Sequence, residues 1–193
     1  MARYSEAHKV ETRARIVETA GRRFKCDGID GSGVAVLMKD AGLTNGAFYA
    51  HFPSKDALVA EVVAAELATQ LAAYDELPPG RAGVEQIVRR YLSVEHRDAV
   101  AAGCPSAALL DEIARSDEPV RAAYDAGVAE VVEAMARRLE GTSRLEGDSL
   151  RTQVLSAYAL MIGTLQVARS LVDDACSRAV LERGVDNVLA LLA

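Results

Sequence analysis

The spacing of apolar residues is helical along almost the whole chain. Alanine, leucine, valine, glutamate and arginine fill long stretches in which apolar positions recur every three or four residues, and glycine and proline are concentrated between these stretches. We see no convincing alternation of a strand. The pattern predicts an all-α protein of about nine helices, the first ending near Gly28 and the others lying near residues 34–41, 45–51, 55–75, 84–99, 105–115, 118–140, 148–172 and 175–192.

The predicted helices near 34–41 and 45–51 are short and follow each other closely, which implies a tight turn between them. The two helices and the turn together span about residues 32–52. Gly42 can take the left-handed conformation that ends the first helix, and Thr44 can cap the second. Phe48 and Phe52 are four residues apart and are expected to bury against the first helix. The segment has the pattern of a helix-turn-helix motif, although a simple helical hairpin would share most of these features.

The second helix of this motif would expose polar and very small side chains, which suits insertion into a DNA major groove. Asn45, Gly46 and Ala50 are predicted to face solvent there. Tyr49, His51 and Lys55 would add hydroxyl, imidazole and ammonium donors of the kind that phosphate contacts need. Taken singly, each of the three also fits an ordinary surface or hydrogen-bonding role.

The string TNGAFYAHFPSKDAL, residues 44–58, preceded by Asp-Ala-Gly at 40–42, resembles the recognition segment of the TetR family of bacterial transcriptional repressors. The resemblance extends by motif over about residues 9–69. It implies a DNA-binding domain there and a regulatory and dimerisation domain over residues 70–193. The protein would then be a regulator, not an enzyme, that binds a palindromic double-stranded operator as a dimer and is released by a small molecule.

The resemblance also assigns roles within the motif. Tyr49, His51 and Lys55 match family residues that hold DNA phosphates, and Asn45, Gly46 and Ala47 match positions that meet base edges. Asn45, Ala47 and Ala50 depart from the residues usual in the family, which bears on the operator sequence. Further DNA-binding candidates are Ser32, as a phosphate contact before the motif's first helix, and Thr44.

The last two helices, near 148–172 and 175–192, carry small and aliphatic residues at helical spacing. By resemblance, they would pair with their copies in a four-helix dimer interface. Periodicity alone fits an intramolecular core equally well. There is an independent reason to expect a dimer, because two motifs related by a two-fold axis can read half-sites about 34–36 Å apart.

The middle helices could form an effector cavity with mostly apolar walls and a few polar contacts, with ordinary core packing as the alternative for each residue. The candidates are Tyr91, His96, Cys104, Leu109, Ile113, Tyr124, Val128, Tyr158, Met161, Leu165, Gln166 and Arg169.

The segment Gly103-Cys104-Pro105 suggests two further readings. A thiol at a helix N-terminus is favoured as thiolate, so Cys104 could sense oxidants or electrophiles. A more remote hypothesis is that the protein is an enzyme with Cys104 as nucleophile and His96 as base, but no motif supplies the remaining catalytic groups. A ligand-binding protein without DNA binding is the third class. Neither a metal nor a cofactor is expected, because the three cysteines lack zinc-type spacing.

The formal charge of −6 first argues against an anionic partner such as DNA. Residues 1–56, however, hold nine lysines and arginines against seven acids, whereas residues 57–193 hold thirteen against twenty-one. The acidity therefore lies mainly outside the motif. We expect a cytoplasmic protein without a signal segment, and we interpret the uncharged run 152–168 as a buried helix, not a membrane span.

Overall fold

The computed structural model describes residues 2–193, with side chains from residue 6 onward. In that part of the chain the secondary structure consists of nine α-helices and two 3₁₀ helices. The α-helices are α1 (Ala2–Asp27), α2 (Val34–Asp40), α3 (Lys55–Asp75), α4 (Gly80–Tyr91), α5 (Val94–Asp98), α6 (Pro105–Arg115), α7 (Glu118–Leu139), α8 (Gly147–Ser170) and α9 (Asp174–Leu191); the 3₁₀ helices are Asn45–Ala50 and Val100–Ala102. The all-α prediction is confirmed.

Two predicted helices differ from the observed ones. The segment near 45–51 forms a 3₁₀ helix and not an α-helix. The predicted helix over 84–99 is interrupted after Tyr91, because Ser93 begins the new helix α5 and its hydroxyl accepts a hydrogen bond from the His96 backbone N–H at 3.1 Å. Serine competes well for such N-cap positions, and a continuous apolar pattern hides the break.

The buried apolar face of α1 lies in the second half of the helix. Val10 is 64% exposed, whereas Ile16, Ala20 and Phe24 are at most 1% exposed and pack into the core. Gly28, with a φ of 80°, ends the helix as predicted, and its N–H bonds to the Phe24 carbonyl at 2.8 Å.

Helix α3 belongs to both halves of the molecule. Its first turns bury Leu58 and Val62 beside α1, and its later turns lie along α7. The two helices approach closely where Gly127 of α7 faces Leu67 of α3, because a Cβ at Gly127 would lie 2.6 Å from the Leu67 side chain. The division at residue 69/70 remains a prediction, since one helix crosses it.

Helices α8 and α9 pack against each other at the other end of the fold. Gly184 of α9 allows a close approach, since a Cβ there would lie 2.5 Å from the Thr164 side chain of α8. The uncharged run 152–168 lies within α8. Within the described residues, α3 is the one helix long and apolar enough to span a membrane by length and composition, with a mean hydropathy of 1.3 over its most apolar window.

Candidate DNA-binding site and ligand cavities

The elbow between α2 and the 3₁₀ helix Asn45–Ala50 is fixed by backbone hydrogen bonds. Gly42 has a φ of 71°, and its N–H donates to the Lys39 carbonyl at 3.0 Å. The Leu43 N–H donates to the Met38 carbonyl at 2.8 Å, which completes a Schellman motif. The structure therefore confirms that glycine ends α2 in the left-handed conformation.

An aromatic pair holds the 3₁₀ helix against the rest of the motif. Phe48 and Phe52 are at most 1% exposed, and their rings stack at 5.7 Å. Tyr49 meets the edge of Phe48 at 5.2 Å but is itself 70% exposed. The burial predicted for the two phenylalanines is confirmed, and it fixes which side of the helix faces outward.

Arg13 of α1 clamps the end of this helix, a role that the sequence did not reveal. Its guanidinium lies over the Phe52 ring at 4.1 Å, donates to the His51 carbonyl and forms a two-point ion pair with Glu61 of α3. These contacts join three elements of the motif. A single arginine on a charged helix face gives no local signal of such a role.

Four of the eight predicted DNA-binding residues are exposed. Thr44, Asn45 and Gly46 are exposed beside Tyr49, and Ala47 is half-buried. Thr44 occupies the predicted N-cap position, but its side chain makes no capping hydrogen bond.

Two other candidates are already hydrogen-bonded within the chain. Lys55 is half-buried at the start of α3, and its ammonium donates to the Ile29 carbonyl. Ser32 is fully buried, and its hydroxyl donates to the Gly28 carbonyl at 2.8 Å. In this conformation Ser32 does not present its hydroxyl to DNA, so we leave it out of the contact set proposed below.

His51 is half-buried, and its Nδ1 is buried without a hydrogen-bond partner. Burial, together with the positive charges of Lys9 and Arg13, lowers the pKa of His51 below its ordinary value of 6.5. The ring is therefore neutral at pH 7 and can offer an N–H donor, not a full positive charge, to a phosphate.

Two cavities divide the predicted effector residues. A cleft of about 1080 Å³ lies between α7 and α8 and is lined by Tyr124, Val128, Tyr158 and Gln166 among others. A smaller cavity of about 350 Å³ lies between α3, α4 and the segment 102–105, and Tyr91, His96 and Cys104 line it. We call the second one the tyrosine cavity.

Four predicted effector residues are core residues instead. Leu109, Ile113, Met161 and Leu165 are at most 2% exposed and belong to the hydrophobic core, and they line neither cavity. The sequence does not separate the two cases, because a stripe of aliphatic side chains looks the same whether it faces a cavity or another helix.

Arg169 also has a structural role. Its guanidinium donates to the backbone carbonyls of His96, Arg97 and Ala107 at 2.9, 3.1 and 3.4 Å. Arg169 thus holds α5 and α6 against α8, and it lines neither of the two cavities.

The ring of His96 is held by backbone groups on both sides. Nδ1 lies 2.7 Å from the Tyr91 carbonyl, and Nε2 lies 3.0 Å from the Cys104 backbone nitrogen. The Cys104 N–H therefore donates to Nε2, and Nδ1 carries the proton. Burial lowers the pKa of His96, in agreement with a neutral ring. Since both nitrogens are occupied, His96 is not placed to take a proton from the Cys104 thiol.

The Cys104 thiol and two hydroxyls form a buried cluster. Cys104 is 7% exposed, and its Sγ lies 3.3 Å from the Tyr158 hydroxyl, which also contacts Ser106 Oγ at 3.1 Å. Burial, followed by the nearby Cys104, raises the pKa of the Tyr158 hydroxyl well above its usual range. Tyr158 links the two cavities, because it lines the larger one and bonds to a residue that lines the smaller one.

Two side chains that sequence reasoning missed connect these cavities with the DNA-binding motif. Lys25 of α1, only 3% exposed in its side chain, pairs with Glu66 of α3 at 2.6 Å and donates to the Gly103 carbonyl at 3.1 Å. Glu112 of α6 accepts from the backbone N–H groups of Ile29 and Asp30 at 2.9 and 3.2 Å. In the sequence all four lysines precede residue 56, so only the fold brings one of them beside Cys104.

The described part of the chain holds no group of three or more His, Cys, Asp or Glu that could bind a metal ion. All three cysteines are free, with Cys26 and Cys176 exposed and Cys104 buried.

Residues 16–62 match the family model described as bacterial regulatory proteins, tetR family. The HTH-type transcriptional regulator AcrR of Shigella flexneri is 37% identical over 62 residues, which make up 32% of this chain and 29% of that protein. The matched stretch therefore spans less than a third of the curated relative.

Solved structures share the fold over nearly the whole chain. The reduced form of E. coli NemR has a TM-score of 0.78 at 23% identity, over 92% of this chain and 95% of that one. A TetR-family transcriptional regulator from Agrobacterium tumefaciens has a TM-score of 0.73 at 19% identity, over 93% and 98% of the two chains. The N-terminal helix-turn-helix thus matches the model of the tetR family of bacterial regulatory proteins, and the whole chain shares its fold with solved TetR-family structures.

Proposed function

We propose that this protein is a cytoplasmic transcriptional repressor that binds a palindromic operator as a homodimer and is released by a small molecule. The observation that carries the DNA-binding part is the 3₁₀ helix Asn45–Ala50. Its buried aromatic pair leaves Tyr49 70% exposed beside the exposed Thr44, Asn45 and Gly46. A rigid short helix with small and polar outward residues fits a major groove.

Within this proposal, Tyr49, His51, Lys55 and Thr44 contact phosphates, and Asn45, Gly46 and Ala47 meet the base edges. Asn45 is the one of these three with both a donor and an acceptor for a bidentate adenine contact. The first 56 residues have a small positive balance, nine basic against seven acidic side chains. Placement of donors therefore matters more than the amount of charge, and we expect a shallow dependence of affinity on salt.

The test is a gel-shift titration against the DNA upstream of the protein's own gene. Tyr49→Ala is expected to weaken specific binding about tenfold, the effect of one lost phosphate hydrogen bond, at unchanged thermal stability. Tyr124→Ala, a tyrosine of α7 far along the chain from the motif, is the matched control and is expected to bind as the wild type does. Equal binding by Tyr49→Ala and the wild type would overturn the DNA-binding proposal.

The proposed dimer forms through α8 and α9. Leu155, Leu160 and Val167 of α8 are 47%, 38% and 51% exposed, and Ala159 and the half-buried Gly163 lie between them, where they and Leu155 also line the cleft between α7 and α8. Other aliphatic residues of these two helices and of the α9 C-cap, Ile162, Val185, Val188 and Leu192, are buried within the chain instead. An exposed apolar and small-residue stripe on a long helix is typical of helix pairing across a two-fold axis.

Light scattering after size-exclusion chromatography tests the dimer. Val167→Glu is expected to yield monomers, because the introduced charges would face each other across the axis. Val10→Glu changes a valine of α1 that is 64% exposed and serves as the control. A wild-type protein that elutes as a monomer at micromolar concentration would count against this part of the proposal.

A thiol-responsive form of the repressor is the second candidate. Cys104 lines the tyrosine cavity, so an electrophile that enters the cavity could form a thioether with its Sγ. The solved structure of NemR, which shares the fold, is described as a reduced form. In a Cys26→Ser, Cys176→Ser background, N-ethylmaleimide is expected to release DNA only if Cys104 is retained; release from the Cys104→Ser version of that background would eliminate this candidate.

A further inference from the structure

We propose that the tyrosine cavity binds a small uncharged molecule that carries a hydroxyl group on a flat aromatic ring. The inference deepens the proposed function, because this molecule would be the effector that releases the operator. It rests on the size of the cavity, its aromatic walls, two buried polar atoms without partners and the contacts of its wall with the DNA-binding motif.

The size and the walls of the cavity select a small flat ligand. Its volume of about 350 Å³ is near the lower end of the range of about 300–1,000 Å³ that is usual for ligand sites. Tyr74, Tyr91 and His96 contribute three of its lining rings, and the Tyr91 and His96 rings meet edge-to-face at 4.7 Å. Walls of this kind pack best against another ring.

Two buried polar atoms in the wall have no hydrogen-bond partner, the Tyr91 hydroxyl and Gln70 Oε1. Tyr91 is only 6% exposed, so its hydroxyl cannot turn to bulk water. Buried polar groups are nearly always satisfied, and an orphaned pair in one cavity wall points to a ligand that supplies the partners.

A ligand hydroxyl matches this pair, since it accepts from Tyr91 and donates to Gln70 Oε1. The match does not depend on the orientation of the Gln70 amide, whose Nε2 lies 2.7 Å from the Tyr74 hydroxyl. If the amide is turned over, the free group becomes an N–H donor, and a hydroxyl can accept from it. A carbonyl ligand lacks this versatility because it only accepts.

The charges of the wall favour an uncharged ligand. Glu66 is already paired with Lys25 at 2.6 Å, and both nitrogens of His96 are occupied by backbone groups. Burial raises the pKa values of the Tyr74 and Tyr91 hydroxyls, so both stay protonated and neutral. Arg90 also lines the cavity, but it is exposed, and its charge is largely screened there.

The wall of the tyrosine cavity contacts α1, which packs against α2 of the DNA-binding motif, and this gives the ligand a way to act on the motif. Glu66 and Gly103 line the cavity, and both hold Lys25 of α1. Cys104 and Pro105 line it at the start of α6, whose Glu112 accepts from the backbone of the loop before α2. A ligand that displaces Glu66 or Gly103 would therefore shift α1 relative to α6.

Fluorine NMR titration of the full chain with 4-fluorophenol and 4-fluorotoluene tests the ligand class. The two probes share a ring and differ in the hydroxyl. We expect the wild type to bind 4-fluorophenol about five- to tenfold more tightly than 4-fluorotoluene, and Tyr91→Phe to lose much of this preference, because only the hydrogen bond to Gln70 would remain. Tyr124→Phe removes a hydroxyl from the larger cleft and is expected to keep it.

Loss of folding does not confuse the result, because Tyr91→Phe removes only an unpartnered hydroxyl and should melt no lower than the wild type. Equal affinity of both probes for the wild type, an unchanged preference in Tyr91→Phe, or no binding of either probe would overturn the proposal. No binding would mean that water alone satisfies the two polar atoms.

A parallel gel shift separates this proposal from the proposed function. With operator bound, 4-fluorophenol is expected to release the wild type but not Tyr91→Phe. If the protein binds DNA and the probe does not bind, the ligand proposal fails alone. If the probe binds with the expected preference and no DNA is bound, the repressor proposal fails and the ligand site stands.

Discussion

The two functional regions of this protein handle polar side chains in opposite ways. In the DNA-binding motif, Tyr49 is 70% exposed, and the exposed Thr44, Asn45 and Gly46 lie within five positions of it in the sequence. In the tyrosine cavity, Tyr91 is 6% exposed, and its neighbours come from three separate parts of the chain. A surface that meets phosphates must present its donors, whereas a cavity that selects a small molecule must keep its donors away from water.

The regions also differ in charge, yet a buried ion pair joins them. The first 56 residues are mildly basic, and the remaining 137 are strongly acidic, with thirteen basic against twenty-one acidic residues. Lys25, one of only four lysines, does not lie on the surface but is buried against Glu66 and Gly103. The two regions therefore differ in charge mainly at their surfaces, and the Lys25–Glu66 ion pair joins them in the interior.

Removing the Lys25–Glu66 ion pair is expected to have the largest effect on the free energy of unfolding. Lys25→Met would leave the Glu66 carboxylate, 22% exposed, and the Gly103 carbonyl without their partner, because methionine fills the space but donates no hydrogen bond. We expect a loss of about 3 kcal/mol in the free energy of unfolding, the lower end for a broken buried ion pair. Urea denaturation followed by circular dichroism measures it.

Lys39→Met is the matched control, because Lys39 is an exposed lysine of α2 in the same region. It should change the unfolding free energy by less than about 0.5 kcal/mol. If Lys25→Met also stays within that limit, the ion pair does not join the two regions energetically.

Two glycines of the DNA-binding motif are expected to respond differently to alanine. Gly42 has a φ of 71°, so Gly42→Ala should cost about 1–2 kcal/mol of stability, although no atom lies within 4 Å of the added Cβ. Gly46 has no positive φ and also has open space around its Cβ position. Gly46→Ala should keep the stability but weaken operator binding, because its methyl would enter the proposed base contact.

Thermal melts and gel shifts of both variants separate conformational from contact roles. Equal melting temperatures for Gly42→Ala and Gly46→Ala would contradict the role assigned to the left-handed turn. Unchanged operator affinity of Gly46→Ala would remove Gly46 from the proposed contact set.

The DNA-binding motif could be predicted from the sequence because its determinants are local. The left-handed Gly42, the i, i+4 pair Phe48 and Phe52, and the outward Tyr49 lie within eleven residues, and each acts through its neighbours. Ser32 was the exception. Its burial depends on the loop after α1 folding back so that its hydroxyl reaches Gly28, and composition carries no signal of that.

The ligand region could be predicted only in outline because its determinants are tertiary. Tyr91, His96 and Cys104 line one cavity, but Gln70 and Tyr74 of the same cavity lie in the last turns of α3, and no pattern in the sequence marked them as cavity residues. Leu109 and Met161 follow the same apolar pattern as the cavity residues and are core. Periodicity reports that a face is buried, not what buries it.

Removal of a helix-capping hydroxyl is expected to have a moderate effect on stability. The Ser54 hydroxyl caps α3 by accepting from the Ala57 N–H at 3.1 Å, whereas Thr44, at the start of the 3₁₀ helix, forms no capping bond. Ser54→Ala should therefore cost about 1 kcal/mol of stability, and Thr44→Ala much less. Urea titrations of the two variants provide the measurement, and an equal loss in both would show that capping does not distinguish the two helix starts.

The smallest expected effect is a pH dependence carried by one histidine in each region. Burial lowers the folded-state pKa of both His51 and His96 below 6.5, so the unfolded chain binds more protons than the folded chain as the pH falls through 6.5. Stability is therefore fully present above pH 6.5 and decreases toward pH 5.5, by less than about 1 kcal/mol for each histidine. His96→Asn should flatten this decrease more than His51→Asn, because protonation of His96 also opposes its hydrogen bond from the Cys104 N–H. Melting curves between pH 5.5 and 7.5, with the exposed His8→Asn as control, test the order, and a steeper decrease in His96→Asn than in the wild type would contradict it.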